Sequence, residues 1–167
     1  MSAKAKLVSN IFFSIVLLDQ AAKFVVDRFL PLNESVPVIK IFFNLTYIRN
    51  KGAAFGIFAG SAEYFRLSFL ILFSVLAIGF VTKILKRLPE REKLLTVALS
   101  FVLGGAVGNL IDRLLYGEVI DFLDFYWSSY HWPAFNVADS FITVGVVLIL
   151  FRLILSKGGD PFEPAQE

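Results

Sequence analysis

Near its C-terminus the chain reads Phe135-Asn136-Val137-Ala138-Asp139-Ser140, and a run of apolar residues follows as far as Leu155. Such a run is close to the length of about 20 residues that a helix needs to cross the hydrocarbon layer of a membrane. Three further apolar runs of similar length lie upstream. We therefore predict a mainly α-helical membrane protein with four transmembrane helices, over about 7–29, 65–85, 94–115 and 137–155.

The composition agrees with a membrane protein. Hydrophobic residues make up 57% of the chain and charged residues 18%, whereas a soluble domain usually has about 25% charged residues. The length of 167 residues predicts a single domain over 1–167. Because the chain has no cysteine, disulfides, thiol catalysis and thiolate metal sites are excluded. A single histidine, His131, leaves little material for a zinc protease or a histidine-based triad.

The positions of lysine and arginine predict the orientation in the membrane, because cytoplasmic segments carry an excess of both. Basic residues lie before the first run, between the second and third, and after the last: Lys4, Lys6, Lys83, Lys86, Arg87, Arg91, Lys93 and Lys157. Both termini are therefore expected in the cytoplasm. The segments at about 30–64 and 116–136 are expected outside it.

The first apolar run allows two interpretations. Lys4 and Lys6 followed by an apolar segment resemble the start of a cleaved signal peptide. Asp19 and Lys23, however, are four residues apart, so on a helix they lie on one face and can pair. Lys23 is also near enough to the outer end to extend its ammonium group toward water. We favour a retained helix with a polar stripe that faces inward.

The outer segment after this helix is rich in β-branched and aromatic residues between positions 36 and 48. That composition predicts a strand or a small sheet at the membrane interface. The following stretch, Asn50-Lys51-Gly52-Ala53-Ala54-Phe55-Gly56, supplies small residues that let a backbone approach a ligand closely. A plain glycine-containing loop is the alternative interpretation of this stretch.

Two aspartates are the leading catalytic candidates. Asp121 lies in Val119-Ile120-Asp121-Phe122, and Asp139 lies at the start of the last apolar run. A charge near the bilayer centre costs roughly 2.5–3.5 kcal/mol on insertion scales, and two facing carboxylates also repel each other. Both positions fall near the predicted outer face. We interpret them as an aspartic dyad, with one carboxyl protonated and the other ionised.

The third run contains a second polar group. Gly104 and Gly108 have the Gly-x-x-x-Gly spacing that indicates close helix packing. Asn109 and Arg113 are four residues apart and share a face, with Asp112 beside them. Either Asp112 and Arg113 only end the helix, or these residues form a polar platform next to the dyad. In the second case Asn109 would hold a substrate carbonyl, and Arg113 would tie the backbone together or meet a lipid head group.

The residues present also bear on other classes of function. The chain has no His-Glu-x-x-His motif for zinc and no Gly-x-Gly-Asp motif, and Ser140 has no evident base. Acidic residues in a membrane also serve proton- or cation-coupled carriers, and structural aspartates would fit a lipid-binding scaffold. The segment around His131 resembles an aromatic interface belt, and we assign His131 no role.

Over essentially its whole length the chain resembles the bacterial lipoprotein signal peptidase family, also called signal peptidase II. The resemblance is carried by five blocks in order: Leu18-Asp19-Gln20-Ala21-Ala22-Lys23, Asn50-Lys51-Gly52-Ala53-Ala54-Phe55, Gly104-Gly105-Ala106-Val107-Gly108-Asn109-Leu110-Ile111-Asp112-Arg113, Val119-Ile120-Asp121-Phe122, and Phe135-Asn136-Val137-Ala138-Asp139-Ser140. Only Lys51 departs from it, because threonine is often expected there.

The resemblance implies an aspartic endopeptidase of the bacterial cytoplasmic membrane. Such an enzyme cleaves prolipoproteins before a cysteine that carries a diacylglyceryl group, and Asp121 and Asp139 would be its catalytic residues. Supporting roles would fall to Asn50, Gly52, Asn109, Arg113 and Asn136 around the substrate, and to Asp19 and Lys23 behind them. An extracytoplasmic β-cradle and a short interfacial helix would hold the peptide.

The resemblance also implies which partners the protein has. The partners would be lipidated prolipoproteins, membrane lipid and the inhibitory cyclic peptide globomycin. No metal, organic cofactor or nucleic acid is expected, and we expect a monomer.

Overall fold

Four long helices and a four-stranded sheet make up the computed structural model, which describes residues 1–52 and 63–155. The helices are α1 (Ala3–Phe29), α2 (Glu63–Arg87), α3 (Lys93–Tyr116) and α4 (Val137–Leu155). Each is long and apolar enough to cross a membrane. The prediction of four transmembrane helices is confirmed, whereas the assignment of residues 1–167 to one domain stays a prediction.

Helix α3 lies at the centre of the helical layer, because it packs against α1, α2 and α4. Small residues permit these contacts. A Cβ atom at Gly105 would lie 2.4 Å from the carbonyl oxygen of Ala138 in α4, and one at Gly108 would lie 2.6 Å from Oδ2 of Asp19 in α1. A Cβ at Gly104 would lie 3.0 Å from Cβ of Ile15. The packing interpretation of the Gly104–Gly108 spacing is therefore confirmed.

The strands form one antiparallel sheet in the order β1-β2-β3-β4. They are β1 (Ser35–Ile39), β2 (Phe43–Asn50), β3 (Val119–Trp127) and β4 (Tyr130–His131). In the register of β2 and β3, Asn50 pairs with Val119 and Ile48 pairs with Asp121. The predicted outer sheet is thus present as β1 and β2, and β3 carries one of the two candidate aspartates.

Strands β3 and β4 were not predicted from the sequence. The first four residues of β3, Val119 to Phe122, are all buried. A strand buried on both faces loses the alternation of apolar and polar residues by which a strand is recognised in a sequence.

Part of the predicted outer region lies outside the described residues. These residues are Ala53, Ala54, Phe55 and Gly56 of the glycine-containing stretch. Lys157, in the tail predicted to be cytoplasmic, also lies outside the described residues. Within residues 1–52 and 63–155 there is no short interfacial helix, so that element stays a prediction.

The two ends of the helical layer differ. The sheet follows the C-terminal ends of α1 and α3 along the chain, at one end. At the other end, Lys4 Nζ donates to the carbonyl oxygen of Leu88. There Arg152 also binds Glu92 through two hydrogen bonds, of 2.7 and 3.0 Å. These contacts tie the beginnings of α1 and α3 to the ends of α2 and α4.

Candidate active site

The two candidate aspartates line one cavity of about 1150 Å³ between the sheet and helices α3 and α4. Six of the nine predicted site residues line it: Asn50, Gly52, Asn109, Arg113, Asp121 and Asp139. The other three, Asp19, Lys23 and Asn136, do not line the cavity. They are connected to the lining residues by hydrogen bonds and ion pairs on the side away from the cavity. All nine residues thus belong to one connected cluster, although their catalytic and supporting roles stay predictions.

Asn136 joins the two aspartates. Its Nδ2 donates to Oδ1 of Asp121 at 2.8 Å, and its Oδ1 accepts from the backbone N–H of Asp139 at 2.9 Å. Oδ2 of Asp139 in turn accepts from the backbone N–H of Asn136 at 3.4 Å. This reciprocal pair is a capping box at the start of α4. The local rule that begins the helix therefore also positions Asp139 relative to Asp121.

Asp121 is held from its other side by strand β2. Its Oδ2 accepts from Nδ2 of Asn50 at 2.9 Å. Asn50 is fixed in turn, because its Oδ1 accepts from the backbone N–H of Gly52 at 2.9 Å. Asn50 pairs with Val119, two residues before Asp121, so its side chain reaches the Asp121 carboxylate diagonally across the two strands.

The surroundings of Asp121 favour its protonated form. Asp121 is 2% exposed. Burial, and next the negative charge of Asp139, raise the pKa of Asp121 to about 7. The hydrogen bonds from Asn50 and Asn136 and the charge of Lys23 act in the opposite direction without cancelling the shift. A carboxyl group that exchanges its proton near neutral pH is suited to general acid–base chemistry.

Asn109 connects Asp139 to a buried cation. Its Nδ2 donates to Oδ1 of Asp139 at 2.7 Å. Its Oδ1 accepts from Nζ of Lys23 at 3.1 Å and from Nδ2 of Asn136 at 3.2 Å. The orientation of the Asn109 amide is therefore determined by Lys23, and Asn109 presents its donor side to Asp139.

Lys23 does not reach water, so the expectation that it extends toward the outer interface is wrong. It is 2% exposed, and its Nζ lies 2.8 Å from Oδ2 of Asp19 and 2.8 Å from Oδ2 of Asp112. Both carboxylates are fully buried. A buried ammonium group is stable only when its charge and its hydrogen bonds are satisfied, and three acceptors do so here. The predicted pairing of Asp19 with Lys23 is confirmed.

Two further residues belong to the cluster: Gln20, which was not assigned to the site from the sequence, and Asp112, for which a helix end and a polar platform were both open. Asp112 Oδ2 accepts from the backbone N–H of Ile120, and its Oδ1 accepts from Nε2 of Gln20 at 2.9 Å. Of the two interpretations left open for Asp112, the helix end does not fit, because α3 continues to Tyr116, and the polar platform agrees with these contacts. One sequence signal was available, since Asp112 lies three residues after Asn109 and hence on the same helix face.

Asp19 extends this cluster to the fourth helix. Its Oδ1 accepts from the backbone N–H of Ala138 at 2.9 Å. Helices α1, α3 and α4 and strand β3 are therefore joined by one network of polar contacts directly behind the dyad.

Arg113 lines the cavity beside the dyad. Its Nη1 donates to the carbonyl oxygen of Asn109 at 3.4 Å. In the part of the chain that the structure describes, no carboxylate lies within 4.0 Å of its guanidinium group. A positive charge with most of its donors uncommitted can bind a carbonyl oxygen of a peptide in the cavity.

His131 lies apart from this cluster, and its Nδ1 is 2.8 Å from Oδ1 of Asp124. Across the described ranges, no three His, Cys, Asp or Glu side chains form a group able to hold a metal ion. The expectations of a reaction without metal or cofactor stay predictions.

The sequence that forms this site matches a known protein family. The family described as signal peptidase (SPase) II matches residues 11–155. The chain belongs to the signal peptidase II family. The match covers every residue of the cluster described above, so the chain is a peptidase, and the resemblance on the five blocks is confirmed. The carrier and scaffold alternatives have no support from this family.

Relatives of the signal peptidase II family match most of the chain. A lipoprotein signal peptidase of Geobacter sulfurreducens is 50% identical over 149 residues, which are 87% of this chain and 92% of the relative. One from Desulforapulum autotrophicum is 48% identical over 146 residues, with 87% and 90% covered. The chain is thus similar to bacterial enzymes over nearly their whole length.

Solved structures agree in fold. A bacterial membrane enzyme solved at 2.3 Å has a TM-score of 0.82 and 30% sequence identity, and the match covers 97% of this chain and 94% of that one. A second, solved at 1.9 Å, has a TM-score of 0.78 and 33% identity, with 89% and 92% covered. Together with its four apolar helices, this likeness makes the chain a multi-pass bacterial membrane protein of the signal peptidase II family.

Proposed function

We propose that this chain is an aspartic endopeptidase that removes signal peptides from prolipoproteins, cleaving before the cysteine that carries a diacylglyceryl group. The observation that carries the proposal is the linkage of Asp121 and Asp139 through Asn136 in one cavity. Family membership supports the reaction, and the linkage supports the choice of residues. The apolar part of the lining, which includes Ile142 and Val144 of α4, is suited to a lipid-modified substrate.

Asp139 is the general base in this proposal. Its carboxylate accepts from Nδ2 of Asn109 and from the backbone N–H of Asn136. It also lies in the first turn of α4, where the positive end of the helix dipole stabilises a negative charge. The ionised Asp139 takes a proton from a water molecule, and the oxygen of that water attacks the scissile carbonyl carbon.

Asp121 holds the proton of the resting dyad. Because its pKa is raised to about 7, it donates a hydrogen bond to the carbonyl oxygen as the tetrahedral intermediate forms. A proton from the dyad then passes to the leaving amine as the C–N bond breaks. Since the two carboxyl groups are coupled, the pair returns to its one-proton state as a unit.

The supporting residues position the substrate and the dyad. Arg113 binds a carbonyl oxygen of the peptide. Asn50, Asn109 and Asn136 hold the carboxylates, while Gly52 fixes Asn50. Asp19 and Lys23 orient Asn109 from behind. Globomycin, as a peptide inhibitor of the family, would occupy the same cavity.

The remaining parts of the proposal concern placement. The cavity faces outward at the cytoplasmic membrane, both termini lie in the cytoplasm, and the chain acts as a single-domain monomer. The basic residues between α2 and α3 support this orientation.

Asparagine variants of the two aspartates test the proposal. Asp121→Asn and Asp139→Asn should each insert and fold but lose cleavage of a lipidated substrate by at least about 10²–10⁴-fold, the usual size of a general acid–base contribution. Cleavage is measured with purified protein and matched lipidated and unlipidated peptides. The unlipidated peptide should not be cleaved.

Asp124→Asn is the matched control. Asp124 lies in the same strand, and its carboxylate binds His131 and Asn44 outside the cavity. This variant should keep cleavage within a few-fold of wild type. Retained cleavage in Asp121→Asn or Asp139→Asn would contradict the dyad, and equal loss in Asp124→Asn would indicate a structural effect.

A further inference from the structure

Helix α2 carries a basic groove at the end of the molecule opposite the active site. The groove is a cavity of about 380 Å³, and its lining is Gly79, Thr82, Lys83, Lys86 and Arg87. The other four residues lie three, four, seven and eight positions after Gly79, so all five occupy one face over the last turns of the helix. None of them lines the active-site cavity.

Among the described residues, no acidic side chain pairs with the cations of this groove. Within residues 1–52 and 63–155, no carboxylate forms a salt bridge with Lys83, Lys86 or Arg87. The nearby Glu92 is already engaged by two hydrogen bonds from Arg152. Glu90, in the turn between α2 and α3, is exposed. Three cations on one helix face therefore present a site for an anion.

Gly79 opens the groove on the side toward the membrane. No atom lies within 4 Å of the position that a Cβ would take there, so no helix contact requires a glycine. The opposite face of α2 carries the packing, because Val81 and Leu85 join the core with Leu95 and Leu99 of α3. A glycine inside a helix lowers stability relative to alanine. Here the missing side chain of Gly79 leaves a notch in the face of α2 that points away from the helix core, one turn before the cations.

An exposed apolar stripe continues from the notch toward the sheet. Leu72, Val75 and Leu76 lie seven, four and three residues before Gly79 and share its face. Their exposed fractions are 58%, 51% and 62%. Along one side of α2 the order is thus apolar stripe, notch and cations. This order matches the acyl chain, glycerol and phosphate of a phospholipid.

We propose that this groove binds an anionic phospholipid in the leaflet opposite the active site. Lys83, Lys86 and Arg87 bind the phosphate and the anionic head group through charge-assisted hydrogen bonds. The glycerol occupies the notch at Gly79, and an acyl chain lies along Leu72, Val75 and Leu76. Basic clusters at the end of a transmembrane helix are a known type of site for such lipids.

Native mass spectrometry of the purified full chain tests this site, with phosphatidylglycerol and phosphatidylcholine of identical acyl chains as probes. The wild type should prefer phosphatidylglycerol. Removal of two charges, in Lys83→Gln/Lys86→Gln, should weaken phosphatidylglycerol binding about tenfold or more and leave phosphatidylcholine unchanged. Gly79→Leu keeps every charge but fills the notch, and it should also weaken phosphatidylglycerol binding.

The matched control is Lys6→Gln/Lys93→Gln, which removes two exposed charges from the same end of the molecule outside the groove. It should bind phosphatidylglycerol as the wild type does. Equal losses in the two double variants would overturn the site in favour of general surface attraction. Wild-type binding by Lys83→Gln/Lys86→Gln or by Gly79→Leu would also overturn it, as would full competition by water-soluble glycerophosphate.

Cleavage of a lipidated peptide in detergent separates this proposal from the proposed function. The groove variants should keep wild-type cleavage there, because they share no residue with the active site. Loss of lipid preference with cleavage intact is the expected result.

Discussion

At the scale of single residues, amide side chains organise the two carboxylates. Asn136 donates to Asp121 and accepts from the N–H of Asp139, while Asn50 and Asn109 each donate to one of the two aspartates. An amide stabilises negative charge without exchanging a proton at neutral pH. The dyad is therefore surrounded by donors that do not titrate, and its one shared proton remains the variable that pH controls.

The raised pKa of Asp121 predicts how activity depends on pH. Because burial and the charge of Asp139 raise it to about 7, Asp121 keeps its proton below that pH and loses it above. The kcat/KM for a lipidated peptide without titrating groups should therefore fall above about pH 7, by about one decade per pH unit. Full activity retained at pH 9 would contradict Asp121 as the proton donor.

Lys23 predicts a second effect at this scale. Lys23→Met would leave the charges of Asp19 and Asp112 buried without their cation, a change that typically costs about 3–5 kcal/mol. The pair of exposed Lys51 and half-buried Glu118 offers the control, because Lys51→Met should cost less than about 1 kcal/mol. Unfolding in mixed detergent micelles measures both. Equal costs would show that burial does not govern the Lys23 cluster.

At the scale of elements, the first turn of α4 is the part on which the site most depends. It carries the capping box of Asn136 and Asp139, its Ala138 N–H donates to Asp19, and its Ala138 carbonyl packs against Gly105 of α3. The position of Asp139 therefore follows from the contact between two helices. The adjoining strand β3 supplies Asp121 through its own pairing with β2.

Gly105→Ala tests this dependence. The added Cβ would lie 2.4 Å from the Ala138 carbonyl oxygen, so α4 must shift by a fraction of an ångström or more. Overpacking of this kind costs typically about 1–3 kcal/mol. A misplacement of about 1 Å can cost about 100-fold in rate. We expect lower thermal stability and a kcat reduced by tenfold or more.

The same substitution at Gly79 is the control for Gly105→Ala. Gly79→Ala meets nothing within 4 Å, and it should leave kcat unchanged while stabilising the helix by about 0.5–1 kcal/mol. Wild-type kcat in Gly105→Ala would show that the contact of α3 with α4 does not position the dyad.

At the scale of the whole molecule, the two ends are built for different surroundings. One end carries the sheet and the active-site cavity. The other is closed by Arg152 on Glu92 and by Lys4 on Leu88, and it carries the basic groove of α2. This difference between the two ends agrees with the predicted orientation, in which the basic end faces the cytoplasm.

Single cysteines test that orientation, because the chain has none of its own. Lys40→Cys lies in the exposed turn between β1 and β2, and Glu90→Cys lies in the exposed turn between α2 and α3. In intact bacterial cells a membrane-impermeant maleimide should label Lys40→Cys, and it should label Glu90→Cys only after the membrane is opened. The reverse labelling pattern would contradict a cavity that faces outward.

Much of this description was accessible from the sequence. Long apolar runs predicted all four helices, because hydrocarbon thickness sets the length of a spanning helix. The Gly104–Gly108 spacing predicted close packing, and the spacing of Asp19 and Lys23 predicted their pairing. Strand β3 was missed because burial on both faces removes its periodicity. The choice between a helix end and a polar platform at Asp112 stayed open, because the sequence does not show which residues face that side of α3.

Local composition and rare polar residues in apolar runs are enough to predict the membrane class, the number of helices and the two candidate aspartates. The surroundings of the two aspartates, in contrast, are visible only in the folded chain. Asn136 bridges the dyad, Lys23 is buried between Asp19 and Asp112, and the raised pKa of Asp121 arises from burial beside Asp139. These features depend on contacts between elements that are distant along the chain, and no local pattern of residues encodes such distances.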